Sequence, residues 1–208
     1  MSGSAAESGG AELVERLASA LRAGEAVVLP TDTVYGVAAL PGVPGATQRL
    51  YALKGRRPEV PLAVLVADAA AAEALAAVWS PAMDRLAERF WPGALTLVVD
   101  RAPSVDAWDL GGDPRTIGVR CPAHPLVRAV TAKVGPVATT SANAHGQPTP
   151  ASAAEAVEAL AGPVAAVADG GRLVGTASTV VDLTGAEPVL RREGPIPFAD
   201  VQAAASEA

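Results

Sequence analysis

Two hydrophobic periods alternate along the chain. Residues 11–23 place Leu13, Leu17, Ala20 and Leu21 on one helical face, and Gly24 stands where a helix should stop. Strand-like runs follow at Ala26-Val27-Val28-Leu29 and over 35–40, separated by Pro30-Thr31-Asp32-Thr33. A short helix is expected around 45–53. Leu62-Ala63-Val64-Leu65-Val66 is too short and too β-branched for anything but a buried strand. Helices are predicted over 69–78 and 81–90, the second opened by Ser80 as N-cap with Pro81 in the first helical position. Next come strands over 94–99 and 116–120, flanking a loop rich in Asp, Gly and Pro, and a helix from Pro125 to about Val134. A strand at 136–139 empties into Thr140-Ser141-Ala142-Asn143. Another helix begins at Ser152, whose spacing to Glu155 is that of a capping box. Strands over 164–168, 178–183 and 188–191 and a short terminal helix complete the pattern.

Interleaved strands and helices, with strands apolar on both faces, predict a three-layer α/β domain. Several connections are too short for a crossover helix, so the twisted sheet should be mixed. The chain reads as a disordered tail over 1–10 and one domain over 11–208, with no internal repeat or linker.

Half of the 208 residues are hydrophobic, which excludes disorder as the default. Charges interrupt every apolar stretch well before the ~18 residues of a membrane span. The first ten residues lack the basic and apolar regions of an export signal, so a cytoplasmic protein is expected. Sixteen Lys and Arg face 22 Asp and Glu, for a net charge of −6. That balance argues against a surface that coats nucleic acid, though it allows a local basic cleft. Cys121 is the only cysteine, so no internal disulfide is possible, and it reads as a small buried hydrophobe.

Candidate chemistry gathers where strands end, the usual place for ligands in α/β sheets. Four stretches stand out: Thr31 to Gly36, Lys54-Gly55-Arg56-Arg57, Ser141-Ala142-Asn143, and Ser178 to Asp182 with Arg192 beyond. Cationic and hydroxyl side chains of these types suit anion binding more than proton transfer, with Lys54 and Arg56 expected to share one side of an extended segment. Singly, each stretch has an ordinary reading as a solvated basic loop, a turn or a β-branched strand. P-loop, dinucleotide, zincin and nucleophile-elbow motifs are absent from the sequence. His124, at a helix start, reads as structural, and His145 has no residue placed by sequence to orient it as a base.

Taken in order, the stretches resemble the Sua5/YrdC/YwlC family, the threonylcarbamoyl-AMP synthases of tRNA modification. The matching segments are Pro30-Thr31-Asp32-Thr33-Val34-Tyr35-Gly36, Lys54-Gly55-Arg56 with Pro61-Leu62, Phe90 to Leu97, Thr116 to Arg120, Ser141-Ala142-Asn143, Ser178 to Asp182, and Arg192-Glu193-Gly194. Together they span about residues 11 to 200. One departure is visible: Arg57 holds a position where the family commonly has proline, and Pro58 follows.

The resemblance implies a YrdC-like fold with a concave basic cavity, in the short single-domain form. It implies a nucleotidyltransferase that joins L-threonine, bicarbonate or CO2, and ATP into threonylcarbamoyl-AMP and pyrophosphate. Lys54 and Arg56 would take the ATP phosphates, Ser141 and Asn143 the phosphate and reacting region, and Arg192 the nucleotide, with Thr116 and Thr149 as further ATP-side residues. Arg120 and Ser178 would orient threonine, lined by Thr31, Thr33, Tyr35 and Thr139. Mg2+ would arrive with ATP, with no protein metal site, since Asp32 and Asp182 read as turn residues. A downstream transferase complex would pass the product to tRNA. Two alternatives stay open: a non-catalytic module that binds tRNA or double-stranded RNA, and carbamoyl-adenylate chemistry on another acceptor.

Overall fold

The computed structural model describes residues 3–57, 59–144 and 146–207. Pro58 and His145 lie outside the described residues, and with them the expectations attached to each. Helix α1 (Gly3–Arg22) starts inside the segment expected to be a tail, nine residues before Glu12-Leu13 open the apolar stripe. Extending a helix costs far less than nucleating one, so the weakly patterned turns before the stripe can join it.

The strands are β1 (Val27–Pro30), β2 (Tyr35–Ala39), β3 (Ala63–Leu65), β4 (Leu95–Asp100), β5 (Thr116–Arg120), β6 (Val137–Ser141), β7 (Ala166–Val167), β8 (Thr179–Asp182) and β9 (Val189–Arg192). They form one sheet in the order β7-β1-β2-β6-β3-β5-β4-β8-β9. β7 on β1, β3 on β5 and β4 on β8 pair parallel, and the remaining neighbours pair antiparallel, so the sheet is mixed as expected.

The remaining helices are α2 (Ala46–Lys54), α3 (Ala69–Glu73), α4 (Pro81–Phe90), α5 (Pro125–Val134), α6 (Ala153–Glu158) and α7 (Phe198–Ser206). The Ser80 hydroxyl accepts from Met83 N, and Ser152 from Glu155 N, as their spacing predicts. Glu155 completes its turn one residue further back, accepting from Ala151 N at 2.9 Å. Helix α3 is half the expected length. Its continuation leaves the helix because Ala76 bridges to Arg101 and Ala77 N donates to Asp100 O, which adds a short extension to the end of β4.

Strand alternation decides where the site lies. Leu95, Leu97 and Val99 enter the larger apolar cluster, together with Val64, Ile117, Val119 and Val181, beneath α2, α3, α4, α6 and α7. A second cluster on the other face joins Leu17 and Leu21 of α1 and Val127 and Val130 of α5 to Val27, Leu29, Ala38, Leu65 and Val137. Each fully buried Leu or Val contributes roughly 1.5–3 kcal/mol of transfer free energy, so both layers are firmly held. The second cluster covers only the β7 to β3 end of its face. Beyond it, Thr96, Val98, Gly118 and Val180 face open grooves.

One connection crosses this opening. Residues 168–178 run from β7 at one edge to β8 beside the other, seven strand positions away. At about 4.8 Å per strand the distance along the sheet is about 34 Å, close to what eleven residues span when extended. The crossing segment is pinned by the Tyr35 hydroxyl, which donates to Gly171 O at 2.7 Å and accepts from Gly170 N at 3.0 Å. Gly175 lies flush on the turn between β1 and β2: a Cβ there would sit 2.2 Å from Thr33 O. Gly175→Ala is therefore expected to lower stability by about 1–3 kcal/mol in urea unfolding. Val174→Ser, at an 85% exposed neighbour, should change it by less than about 0.5 kcal/mol.

Candidate functional site

Helix α2 ends at Gly55, whose φ of 58° is left-handed and reverses the chain after Lys54. Lys54 and Arg56 thus do not share an extended segment. They nevertheless converge on one stretch, 140–143, from a helix end. The buried Lys54 ammonium donates to Ser141 O, to Asn143 Oδ1 at 3.0 Å and to Ser141 Oγ at 3.3 Å. Ser141 Oγ in turn donates to Asn143 Oδ1 at 2.5 Å, and Asn143 Nδ2 to Gln147 O. Arg56 donates to Thr140 Oγ1 and to Pro61 O, while its buried Nε has no partner among the described residues.

Ser141, Arg56 and Thr140 open onto one cavity. Its walls also include Thr31, Thr33, Arg120, Thr139, Ser178 and Arg192. Arg192 donates through Nε to Ser178 O at 3.0 Å and through Nη2 to Ser178 Oγ at 3.2 Å, and Ser178 Oγ lies 2.8 Å from Thr96 Oγ1. Its neighbour Arg191 instead pairs with Asp182, whose other oxygen closes a turn on Thr184. Arg120, 6% exposed, donates through Nε to Gly93 O, through Nη1 to Thr33 Oγ1 and through Nη2 to Asp32 Oδ1 at 2.7 Å. Thr31 organises the turn, its hydroxyl accepting from Thr33 N and Val34 N and donating to Val34 O.

Eight of the thirteen residues singled out in the sequence therefore share one cavity: Thr31, Thr33, Arg56, Arg120, Thr139, Ser141, Ser178 and Arg192. Lys54 and Asn143 support it from behind Ser141. Thr116 lines an adjoining groove reached past Arg56, Thr96 and Arg192. Tyr35 is not a wall residue: it is fully buried in the larger core, and its phenol holds the crossing segment. Thr149 is exposed and stands apart from the cavity. Asp32 lies in the β1–β2 turn and Asp182 closes a turn on Thr184, as expected, and each is also an ion-pair partner, of Arg120 and Arg191. Thr96 and Thr140 were not singled out. The first could have been read from the alternation of 96 and 98 against Leu95, Leu97 and Val99, and the second from its place beside Ser141 at a strand end.

The electrostatics follow from this crowding. Burial disfavours the charged form of Arg192, and the Arg120 and Arg56 guanidiniums press it the same way. Burial, then Arg56, pulls Lys54 down to about 8. Such a cavity is complementary to a polyanion, whose arrival relieves the repulsion. Cys121 and His124 take no part: Cys121 is buried with its thiol pushed up, and His124 begins α5 with burial lowering its pKa. Among the described residues no group of three or more His, Cys, Asp or Glu is placed to hold a metal, and no helix is long and apolar enough to cross a membrane.

Fold and cavity together define an α/β domain that gathers cations for a small anionic ligand. The Sua5/YciO/YrdC family model, described as telomere recombination, matches residues 19–194. A relative from Mycobacterium tuberculosis is 43% identical over 178 residues, covering 85% of this chain and 82% of its own. The Bacillus subtilis threonylcarbamoyl-AMP synthase is 36% identical over 192 residues, 91% of this chain and 56% of that protein. Pyrococcus abyssi Sua5, solved in complex with L-threonine, superposes with a TM-score of 0.84 at 34% identity, covering 93% of this chain and 57% of that one. The chain belongs to the Sua5/YciO/YrdC family.

The buried ammonium makes a pH test possible. Unfolded, Lys54 keeps its proton up to about its ordinary 10.5; folded, it releases it near 8. Between those values the unfolded state binds more protons, so stability gains a contribution as pH rises. Lys54→Met should lose that rise, read as the change in urea-unfolding free energy between pH 8 and 10. An unaltered rise would locate it elsewhere.

Proposed function

We propose that this chain is an L-threonylcarbamoyladenylate synthase. Its relatives carry that activity in their names, and a close structural neighbour binds L-threonine. The observation that carries the reading is the convergence of Arg56, Arg192 and Ser141 beside the ion-paired Arg120 in one cavity.

On this reading Arg56, Arg192 and the Ser141 hydroxyl hold the ATP phosphates. Lys54 holds the Ser141–Asn143 turn from behind and adds its charge to the same region. Arg120, Thr33 and Ser178 orient threonine. The threonine amine adds to CO2, releasing a proton, and a carbamate oxygen then attacks the α-phosphorus while pyrophosphate leaves. Carbamates lose CO2 readily, so holding the nucleophile against phosphorus is most of the task. The guanidiniums neutralise charge that builds on the phosphates. No acid–base pair is required. Mg2+ fits as a passenger on the phosphate oxygens and water, because no carboxylate lines the cavity and Asp32 beside it is already occupied by Arg120. The product would pass to a transferase complex that installs t6A on tRNA in the cytoplasm.

Pyrophosphate release should require ATP, Mg2+, bicarbonate and threonine together. Arg56→Ala and Arg192→Ala are expected to cut kcat/KM about a hundredfold or more, as loss of a charged contact to the transferring group does elsewhere, with unfolding midpoints near the native one. Full turnover in both variants would overturn the reading. So would salt-steep tRNA binding without pyrophosphate release, the signature of an RNA-binding module.

A further inference from the structure

We infer that Asp32 sorts the anions within the cavity: by pairing with Arg120 and offsetting its charge, it reserves that guanidinium for the carboxylate of the amino acid and leaves the polyphosphate to Arg56 and Arg192. The inference rests on the function proposed above and goes beyond it, because it concerns how two anions of different charge reach different cations a few residues apart.

Asp32 is held from two sides. Its Oδ1 accepts from Arg120 Nη2 at 2.7 Å and from Ala123 N at 3.0 Å, so the carboxylate is tied to the backbone after β5 as well as to the guanidinium. Asp32 lies outside the cavity wall, whereas Arg120 is part of it. An incoming anion therefore meets Arg120 with its counter-charge fixed behind it. Gly93 O, Thr33 Oγ1 and Asp32 Oδ1 take three of the five N–H groups, which leaves one on each terminal nitrogen. Those two N–H groups are enough for two charge-assisted hydrogen bonds to a carboxylate.

Arg56 and Arg192 differ. Their partners are hydroxyl and carbonyl oxygens, and among the described residues neither forms an ion pair with a carboxylate. A multiply charged phosphate chain gains most where positive charge is uncompensated, because Coulomb attraction grows with the product of the charges. A guanidinium with a carboxylate fixed behind it offers directed hydrogen bonds with less long-range pull than an unpaired one, which suits a single carboxylate. Without Asp32, three similar guanidiniums would compete for the same phosphates, and ATP or pyrophosphate would occupy the amino-acid end unproductively. Asp32 is thus a positioning residue that acts through Arg120.

Pyrophosphate is the probe. With native protein it should compete with ATP and not with threonine. Asp32→Asn keeps the shape and removes the charge; it should raise the KM for threonine about tenfold or more, leave the KM for ATP unchanged or lower, and make pyrophosphate competitive with threonine. Asp32→Glu restores the charge and should restore the native inhibition pattern. Loss of a merely structural contact would not change which substrate pyrophosphate displaces. An Asp32→Asn enzyme in which pyrophosphate still competes with ATP alone overturns the inference. If Asp32→Asn fails to fold, Asp32→Glu decides: pyrophosphate competing with threonine there overturns it equally. Arg120→Ala separates the two levels. An unchanged threonine KM in that variant would strike at the role given to Arg120, whereas a raised one beside a native-like Asp32→Asn would strike at the sorting alone.

Discussion

Like charges held together in a partly dehydrated cavity are the constraint around which this domain is built. Arg56, Arg120 and Arg192 come from three distant segments, and burial and mutual repulsion press on Arg192 in the same direction. Strain of this kind counts against a domain stability of only roughly 5–15 kcal/mol. Apolar clusters on both faces of the sheet hold the strands in place against it. Preorganised charge of this kind needs little rearrangement when a ligand arrives, and that is its value to chemistry on phosphorus.

Around the guanidiniums stands a supporting layer of fixed hydrogen bonds. Thr31 shapes the turn that presents Thr33, Thr96 meets Ser178, and Lys54 locks Ser141 to Asn143. Each support sits on a strand end or helix end, where free backbone groups would otherwise allow drift. The layer explains why the polar residues of the motifs do not all reach the cavity: Thr31 and Ser141 both line it and hold neighbours, while the Asn143 amide only holds.

The sheet was legible in the sequence because strand alternation and short apolar runs report directly on burial, as Leu95, Leu97 and Val99 show. Helix starts were legible at Ser80 and Ser152, where cap chemistry is local. What is not local was harder to read. The length of α3 depends on the bridge from Ala76 to Arg101, which no periodicity announces. Lys54 and Arg56 were grouped correctly for a mistaken reason, since an extended segment was expected where Gly55 ends a helix. Tyr35 shares a motif with the cavity residues Thr31 and Thr33 yet lies on the opposite face, as the side-chain alternation of β2 allows. Asp32 was legible as a turn residue but not as an ion-pair partner, because Arg120 is 88 residues away.

The segment that spans the sheet from β7 to β8 has almost no slack, and this makes its residue count a dimension of the enzyme. Most surface loops accept extra residues at small entropic cost. Here a longer segment would bow away from Thr33 and a shorter one would drag Ser178 out of line, so insertions and deletions should be purged between Ala168 and Ser178 even where substitutions at exposed positions such as Val174 pass unnoticed.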